Sequence, residues 1–477
     1  MSPVWKRRLL WIITITVVLA IVIGITAWYK LFRLVDQPKF ANLEERFKYG
    51  SMDAEAEAGL PFWIWVVLPR VFPDYLPGPG GYRSFGLPWE EGHETPVGFA
   101  KRTMGFPRIT NTCAACHTTT WRTRPDEPPH FIPGGPGHTT GIQSMLRFLT
   151  KCANDVRFNP DTLLAEIEQH APLSTLDRML YRYGIIPATK KALQDRGSQF
   201  SWMNRPNWPD WLKGRDDPMN LTKYFMTGLP WDQTVGSADF PSAWNLRMRE
   251  GMNLNWGGET PSPRSVIIDS ALGLQADPKH VVMHATWIQE FLNDKHPDPY
   301  PFPIDSALAA QGKTVFDANC ASCHAAGPGS RMGKVIDISE IKTDDNRLIT
   351  WTQQAADIAN QKVASMGVQR TNMIKTNGYQ AVPLDGIWLR GPYLHNGSVP
   401  NLHDMLEPED IRTKVFYRGY DVVDPVNVGY DTQSAEARRL GDKVDTSVKG
   451  NGNQGHTYGT TLPPDDKKSL LEYMKTL

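Results

Sequence analysis

The residues of this chain with the clearest chemistry are two copies of the pattern Cys-x-x-Cys-His. The first copy consists of Cys113, Cys116 and His117, and the second of Cys320, Cys323 and His324. Two thiols three positions apart can reach the two vinyl groups at one edge of a haem, and the histidine that follows can bind the iron. The spacing therefore predicts two covalently bound c-type haems, with His117 and His324 as proximal iron ligands.

Three other kinds of site use cysteines at this spacing. Four thiolates could bind zinc, a Cys-x-x-Cys pair could act as a thioredoxin-like dithiol, and either pair could form a disulfide. None of the three explains a histidine directly after each pair. The fifth cysteine, Cys152, is predicted to be a small buried apolar residue, with a reactive thiol as the alternative.

The composition limits the class of protein around these motifs. A length of 477 residues suggests two or three domains, and 51 basic residues balance 51 acidic ones. Nucleic-acid binders rely on a net basic surface, so we expect no nucleic-acid partner. The chain is 21% charged and 40% hydrophobic, which fits neither a disordered nor a polytopic membrane protein. Its 39 glycines and 38 prolines favour long loops.

The N-terminus contains a nearly continuous apolar run from Leu9 to Tyr29. A helix of this length spans roughly 30 Å, the thickness of the hydrocarbon core of a bilayer. Three basic residues precede the run at positions 6–8, which predicts a cytoplasmic start and a body on the outer face. We expect an uncleaved anchor in residues 1–35, with a cleaved signal peptide as the alternative.

The elements that would position the motifs are predicted to be mainly helices. Apolar residues recur at helical spacing in residues 141–153, 161–183, 280–292 and 305–318, and again after Pro463. No strong strand pattern is present. The proline-rich segment 297–303 separates two units. The predicted fold is therefore mostly α, with an N-terminal transmembrane helix followed by two cytochrome c-like haem domains with long loops, at 36–300 and 301–477.

Several segments resemble a known family. The two motifs lie 207 positions apart, and Leu-Arg-Gly-Pro-Tyr-Leu-His-Asn-Gly-Ser follows at 389–398. This arrangement resembles the dihaem cytochrome c peroxidase superfamily, whose Trp-Asp-Gly-Arg segment is similar to Asn-Trp-Gly-Gly-Glu at 255–259. Within the superfamily the chain is most similar to the branch of the bacterial rubber oxygenases, through segments 270–273, 301–305 and 455–460. The resemblance covers roughly residues 60–477.

The resemblance implies roles for residues outside the two motifs. Trp256 would pass electrons between the haems, although core packing is the alternative for a chain with 16 tryptophans. The sixth ligand of the second haem would be His456 or Met405. Peroxidases of the superfamily use methionine there, and the oxygenase branch uses a histidine near the C-terminus, so we favour His456. Two imidazoles give a lower potential than a His/Met pair.

The first haem is expected to have an open or water-bound distal side. The superfamily's catalytic glutamate lies about twenty residues after the interhaem tryptophan, and here that offset reaches Ala276. The neighbouring Asp277 could substitute as the catalytic acid–base group, with an exposed loop carboxylate as the alternative. His130 or His138 could instead bind the distal side of the iron, or lie at the surface.

A calcium ion is the last cofactor that the resemblance implies. Asp239 aligns with a family asparagine that helps to bind calcium, and backbone carbonyls near Arg390 and Pro392 would complete the site. His395 is expected to be structural, within the pocket of the second haem.

These features predict a redox enzyme tethered to a bacterial inner membrane, with its haem domains in the periplasm. Peroxide or dioxygen would react at the first haem, electrons would pass through the second, and the partners would be an electron-donor or acceptor protein and an apolar small-molecule substrate. A non-catalytic dihaem electron carrier is the main alternative, and a ligand-sensing role is a weaker one. The distal ligand of the first haem distinguishes the enzyme from the carrier.

Overall fold

A computed structural model describes residues 3–477 of the chain. Its first helix, α1, covers Pro3–Leu31, and at 1.5 Å per residue it is about 43 Å long. Within Val4–Leu31 an 18-residue window has a mean hydropathy of 2.7, and none of it is buried. By length and composition α1 can cross a membrane, as the sequence predicts, but a signal sequence has the same properties.

The body that follows is mostly helical. In the first part of the chain the further helices are α2 (Leu43–Tyr49), α3 (Phe62–Val71), α4 (Ile142–Asn154), α5 (Pro160–Ile167), α6 (Thr175–Leu180), α7 (Ile186–Gln199), α8 (Pro218–Leu221), α9 (Pro263–Gly273) and α10 (Val281–Asn293). In the second part they are α11 (Ser306–Asn319), α12 (Ala321–His324), α13 (Ile338–Ile341), α14 (Asn346–Thr350), α15 (Gln353–Ser365), α16 (Leu402–Met405), α17 (Ala435–Leu440) and α18 (Pro464–Met474). Short 3₁₀ helices cover Pro73–Tyr75, Gly81–Phe85, Cys113–Ala115, Ser201–Asn204, Leu246–Arg249 and Ile387–Leu389, and π-helical turns cover Tyr181–Ile185 and Thr222–Thr227.

Short antiparallel strands connect these helices. They are β1 (Leu60–Pro61), β2 (Phe99–Met104), β3 (Phe106–Asn111), β4 (Thr118–Trp121), β5 (His130–Pro133), β6 (Arg215–Asp216), β7 (Ala238–Asp239), β8 (Val335–Asp337), β9 (Gly378–Gln380), β10 (Val415–Arg418), β11 (Val423–Asp424), β12 (Gly429–Tyr430) and β13 (Asp442–Asp445). One sheet has three strands in the order β1-β3-β2, and the others are pairs: β4 with β5, β6 with β7, β8 with β9, β10 with β13 and β11 with β12.

Four of the predicted helices are present with ends shifted by one residue or so, namely α4, α10, α11 and α18. The single helix predicted over 161–183 is instead two helices, α5 and α6, with a π-helical turn at its end. Pro172 lies in the gap between them, and Ser174 begins α6 by accepting a hydrogen bond from the amide of Asp177. Because proline cannot continue a helix and serine is a strong N-cap, the apolar spacing on its own overstates the length of the element.

The sequence does not predict these strands, because apolar and polar residues do not alternate along them. The strand β2 reads Phe-Ala-Lys-Arg-Thr-Met, and β3 reads Phe-Pro-Arg-Ile-Thr-Asn. Their pairing runs from Phe99 opposite Asn111 to Met104 opposite Phe106. Both strands carry charged residues on a partly buried surface, so neither shows the clean period of two that marks a strand in a sequence.

The helices α11 and α18 pack against each other around the second motif, as expected for a small cytochrome c. A side chain at Gly312 of α11 would overlap the carbonyl oxygen of Ser469 in α18, so only glycine permits this close approach. The rings of Phe316 and Tyr473 lie 5.1 Å apart across the same interface. This pair of helices holds the segment that leads into Cys320.

The end of α1 is fixed to the body by backbone pairing. The amide of Gly105 donates to the carbonyl of Arg33 at 2.8 Å, and the amide of Val35 donates to the carbonyl of Thr103 at 2.9 Å. Gly105 has φ +71°, and a Cβ there would overlap the backbone of Leu31. The chain therefore leaves α1 directly along the β2–β3 hairpin.

Three of the hydrophobic cores contain residues from both sides of residue 300. One core packs Trp121 and Trp244 with apolar residues of α11, α18 and segment 387–430. Another packs α9 and α10 with Val363 and Val368. Arg122 adds a direct link, since its Nε donates to Asp421 Oδ1 at 2.9 Å. The domain boundary near residue 300 stays a prediction.

Candidate functional site

The first motif lies on a 3₁₀ turn between β3 and β4. The Nδ1 atom of His117 donates to the carbonyl oxygen of Pro241 at 3.0 Å. A carbonyl can only accept, so the proton is on Nδ1 and Nε2 keeps its lone pair for a metal. Burial lowers the pKa of His117 to about 4, although this hydrogen bond acts to raise it, so the imidazole is neutral at neutral pH. Pro241 follows β7, which the pairing with β6 holds in place.

The second motif repeats this arrangement on α12. The Nδ1 atom of His324 donates to the carbonyl oxygen of Val382 at 2.7 Å. Val382 follows β9, which pairs with β8. Burial lowers the pKa of His324. In both motifs, therefore, the carbonyl that orients the histidine belongs to a residue just after a paired strand, and the Nε2 atom of the histidine stays free.

A second imidazole lies opposite His324. The ring centres of His324 and His456 are 6.2 Å apart, with 47° between the ring planes. Two metal–nitrogen bonds of about 2 Å and about 1 Å from each nitrogen to its ring centre add up to about 6 Å. The two rings are thus spaced as two axial ligands of one metal ion would be. Burial lowers the pKa of His456 to about 3.

A buried arginine holds the loop that carries His456. The side chain of Arg412 is fully buried, and its Nη1 donates to the carbonyls of Asn453 at 2.7 Å and Gly455 at 2.8 Å. Its Nη2 donates to the carbonyl of His456 at 3.1 Å. His456 itself has φ +47°, a left-handed conformation that is costly for a residue other than glycine. The arginine therefore stabilises a loop conformation that the backbone alone disfavours.

Trp256 lies between the segments that orient the two histidines. Its Nε1 donates to the carbonyl of Asp239 at 2.7 Å, and its own carbonyl accepts from the amide of Gln380 at 2.8 Å. Asp239 precedes Pro241 by two residues, and Gln380 precedes Val382 by two residues. One tryptophan thus connects the supports of both motifs.

None of the four motif cysteines forms a disulfide. Burial raises the pKa of Cys113 to about 12 and that of Cys320 to about 11. A dithiol oxidoreductase needs a thiol pKa below the usual value, and Cys113 and Cys320 lack that property. No cluster of three or more metal-binding side chains occurs within residues 3–477, which leaves a four-thiolate zinc site without support. Paired thiols next to neutral imidazoles fit covalent haem at both motifs.

Neither of the histidines proposed for the distal side of the first haem pairs its ring with that of His117, although Gly137, next to His138, donates its amide to the carbonyl of Cys116 at 2.8 Å. His130 is exposed on β5, with its ring stacked 4.1 Å from that of Trp121. His138 is buried against Tyr430 at 3.8 Å between ring centres, and neither of its ring nitrogens has a hydrogen-bond partner. Within the described chain, His456 is the one histidine whose ring pairs with a motif histidine. His117 has no such counterpart among residues 3–477.

Asp277 and Met405 have local packing roles in the structure. Asp277 lies in the turn before α10, where its Oδ1 accepts from the amide of Lys279 at 2.9 Å. Met405 ends α16 and is partly buried against the core of the second part of the chain. Neither residue forms a hydrogen bond with a motif histidine. Their functional roles stay predictions.

Asp239, the predicted calcium ligand, is buried and forms an ion pair with Arg418. A guanidinium already pairs with this carboxylate, and within residues 3–477 Asp239 belongs to no group of three or more His, Cys, Asp or Glu side chains. The calcium site stays a prediction. His395, expected to be structural, is buried and stacks on Tyr379 at 3.9 Å. Cys152 is fully buried, as predicted.

Sequence reasoning missed one more feature of this region, a buried ion pair. Arg347 Nη1 lies 2.8 Å from Glu259 Oε1, and each side chain is 2% exposed. Glu259 ends the segment that contains Trp256. A glutamate near a tryptophan and a distant arginine give no local signal, so neither this pair nor Arg412 could be found from spacing.

Comparisons with known proteins agree with the second motif. Residues 309–387 match the Cytochrome c family, and residues 378–417 match the family described as RoxA-like, cytochrome c-like. The C-terminal region is therefore cytochrome c-like. It carries α11, α12 and the Val382 carbonyl.

Two curated relatives come from Sinorhizobium fredii, and both are named as uncharacterized proteins. The protein y4iM is 27% identical over 283 residues, which is 50% of this chain and 64% of the relative. The protein y4iJ is 34% identical over 158 residues, which is 31% of this chain and 25% of the relative. The chain thus matches less than two thirds of the length of either one.

Proposed function

We propose that the protein is a membrane-tethered dihaem c-type cytochrome that acts as a redox enzyme on the periplasmic side of a bacterial inner membrane. The reaction with peroxide or dioxygen takes place at the motif of His117, and electrons enter or leave through the motif of His324. An electron-donor or acceptor protein and an apolar small-molecule substrate are the proposed partners.

One observation carries this proposal, namely the difference between the two motif histidines. His324 has His456 opposite its ring at 6.2 Å, whereas no histidine ring of the described chain faces His117. When bound, the haems supply redox-active iron, which is closed by two ligands in electron transfer and open on one side in peroxide or dioxygen chemistry. The asymmetry supports one centre of each kind.

The protein's own residues set up this division. The carbonyls of Pro241 and Val382 hold the two proximal imidazoles in the tautomer with a free Nε2. Arg412 holds the loop of His456, so the second ligand is in place before any partner binds. Preorganised ligands lower the structural change that accompanies electron transfer.

Trp256 is the proposed connection between the centres. Its hydrogen bonds run to Asp239 on the side of His117 and to Gln380 on the side of His324. The path from one proximal histidine to the other therefore consists of two short backbone segments and one aromatic residue. The resemblance to the dihaem peroxidases assigns the same role to this tryptophan.

Haem content and spin state test the proposal on the full-length protein in lipid nanodiscs. We expect two haems per chain, one of them lost in the double variant C113S/C116S and the other in C320S/C323S. Electron paramagnetic resonance of the wild type should show one low-spin centre and one high-spin centre, and cyanide should bind to the high-spin centre alone.

Two ligand variants distinguish the candidates for the sixth position. His456→Ala should convert the low-spin centre to high spin, and Met405→Leu should leave it unchanged. The reverse pattern would show that Met405 is the ligand. Two low-spin centres in the wild type, with no cyanide binding and no turnover of peroxide, would instead support the non-catalytic electron carrier.

A further inference from the structure

A group of exposed apolar side chains surrounds the point where α1 meets the body. We call it the exit patch, and it consists of Phe32, Leu34, Val35, Leu176, Met179 and Tyr183. Tyr183 is 77% exposed, Phe32 58% and Met179 49%. Three of the six follow α1 in the chain, and the other three belong to α6 and the π-helical turn after it.

The two halves of the exit patch are held together by direct contacts. Lys30, in the last turn of α1, forms an ion pair with Asp177 of α6 at 2.7 Å between Nζ and Oδ1. The residues after α1 pair with the β2–β3 hairpin, and Phe106 of that hairpin lies 6.3 Å from the ring of Tyr181. The helix α6 therefore lies at the level of the last turn of α1.

This level corresponds to the membrane–water interface if α1 crosses the bilayer. Trp28 and Tyr29 directly precede Lys30, and such aromatic and basic residues are enriched at the ends of transmembrane helices. About 20 residues span the hydrocarbon core, so the 28 residues of Val4–Leu31 are enough to place Lys30 among the headgroups. For a water-exposed apolar patch at this depth, burial in the headgroup–acyl boundary is favourable, because it removes apolar surface from water.

We propose that the exit patch docks on the outer leaflet of the bilayer that holds α1, so that the body rests on the membrane in one orientation. The occupant of this surface is lipid, because the patch is continuous with the transmembrane helix. The inference rests on the proposed retention of α1 as an anchor, and it goes beyond the redox function.

Site-directed fluorescence in nanodiscs tests this docking on the full-length, haem-loaded chain. An environment-sensitive nitrobenzoxadiazole label is placed at Met179→Cys or Tyr183→Cys, and lipids with a doxyl group near the headgroup serve as quencher. The native cysteines do not interfere, because Cys152 is fully buried and the other four carry haem in the loaded protein. We expect most of the fluorescence at both positions to be lost with doxyl lipid.

Val426→Cys is the matched control. Val426 is 77% exposed, as Tyr183 is, but it lies in the turn between β11 and β12. Its label should keep its fluorescence in the same nanodiscs. Equal fluorescence of all three labels with and without doxyl lipid would overturn the docking proposal.

Alkaline extraction of membranes separates this outcome from loss of the anchor. Release of the wild-type chain by alkali would show that α1 is not a retained span, and both proposals that depend on it would fail. Retention of the chain without quenching at position 179 would refute the docking alone.

Discussion

Arg412 offers the sharpest test of how the second centre is built. Its guanidinium is the one group that bonds to the carbonyls of Asn453, Gly455 and His456 together. The substitution Arg412→Met keeps the length and apolar stem of the side chain and removes these three bonds, together with the bond from Nε to the carbonyl of Glu407 at 3.1 Å. The perturbation therefore acts on the conformation of the loop and leaves the imidazole of His456 chemically intact.

The size of the effect follows from these contacts. A hydrogen bond from a charged donor contributes about 1.5–3 kcal/mol, but three bonds on one side chain are not additive. We take about 3 kcal/mol as the free energy by which Arg412 stabilises the ordered conformation of the loop. Since each 1.4 kcal/mol is a factor of ten, the equilibrium between bound and released His456 should shift by roughly 100-fold towards release.

Carbon monoxide binding to the reduced protein measures this shift. An added ligand must compete with His456, so its apparent affinity is proportional to the fraction of protein in which the imidazole is released. For Arg412→Met we expect the apparent Kd of the second centre for carbon monoxide to fall by roughly 100-fold. Arg412→Lys keeps the charge but not the fork of donors, so its shift should be smaller.

Arg370→Met is the control, because it removes an equally enclosed arginine that makes no contact with the loop. The side chain of Arg370 is 2% exposed and bonds to Asp269 and Asn360. This variant should lose stability and keep the carbon monoxide affinity of the wild type. Unchanged affinity in Arg412→Met, or the same shift in both variants, would refute the role assigned to Arg412.

Three further predictions concern other parts of the site. Trp256→Phe keeps an aromatic ring and removes the bond to the Asp239 carbonyl. Electron transfer between the centres, measured by flash photolysis, should therefore slow while both haem spectra stay unchanged. A wild-type rate would show that Trp256 serves only to pack the core. Removing one partner of the buried Glu259–Arg347 pair, as in E259Q, should cost about 3–5 kcal/mol in chemical denaturation, and the double variant E259L/R347M should recover most of it. Burial acts to raise the pKa of Asp53, but pairing with a buried histidine and an arginine outweighs burial and holds this pKa below 3.8. D53N should therefore lower the free energy of unfolding by about 1–3 kcal/mol at pH 7, and its difference from the wild type should shrink as the pH falls below about 4.

The sequence predicts the elements whose signals are local. A long apolar run specifies α1, and apolar residues at helical spacing specify α4, α10, α11 and α18. The two Cys-x-x-Cys-His motifs are equally local, because the thiols and the imidazole belong to five consecutive residues. The strands have no such local signal, because they are stabilised by pairing with other strands and their own sequences do not alternate.

The groups that hold the motif histidines and His456 in place depend on contacts between distant positions of the chain. Arg412 lies 41 to 44 residues from the carbonyls that it binds, and Arg347 lies 88 residues from Glu259. The acceptors of the motif histidines are backbone carbonyls, which every residue possesses, so no side-chain type marks Pro241 or Val382. His456 was predicted through a resemblance, and the geometry that supports it became visible only in three dimensions.

The contact between Arg122 and Asp421 has a consequence for how the protein is made. Arg122 follows the first motif by five residues, and its partner lies 299 residues further along the chain. Ribosomes add about 5–20 residues per second, so roughly 15–60 s separate the synthesis of the two. During that interval the bond from Arg122 to Asp421 and the backbone bridge between Arg122 and Val422 cannot form. Segment 421–423 therefore joins the surroundings of the first motif only after most of the chain has been made.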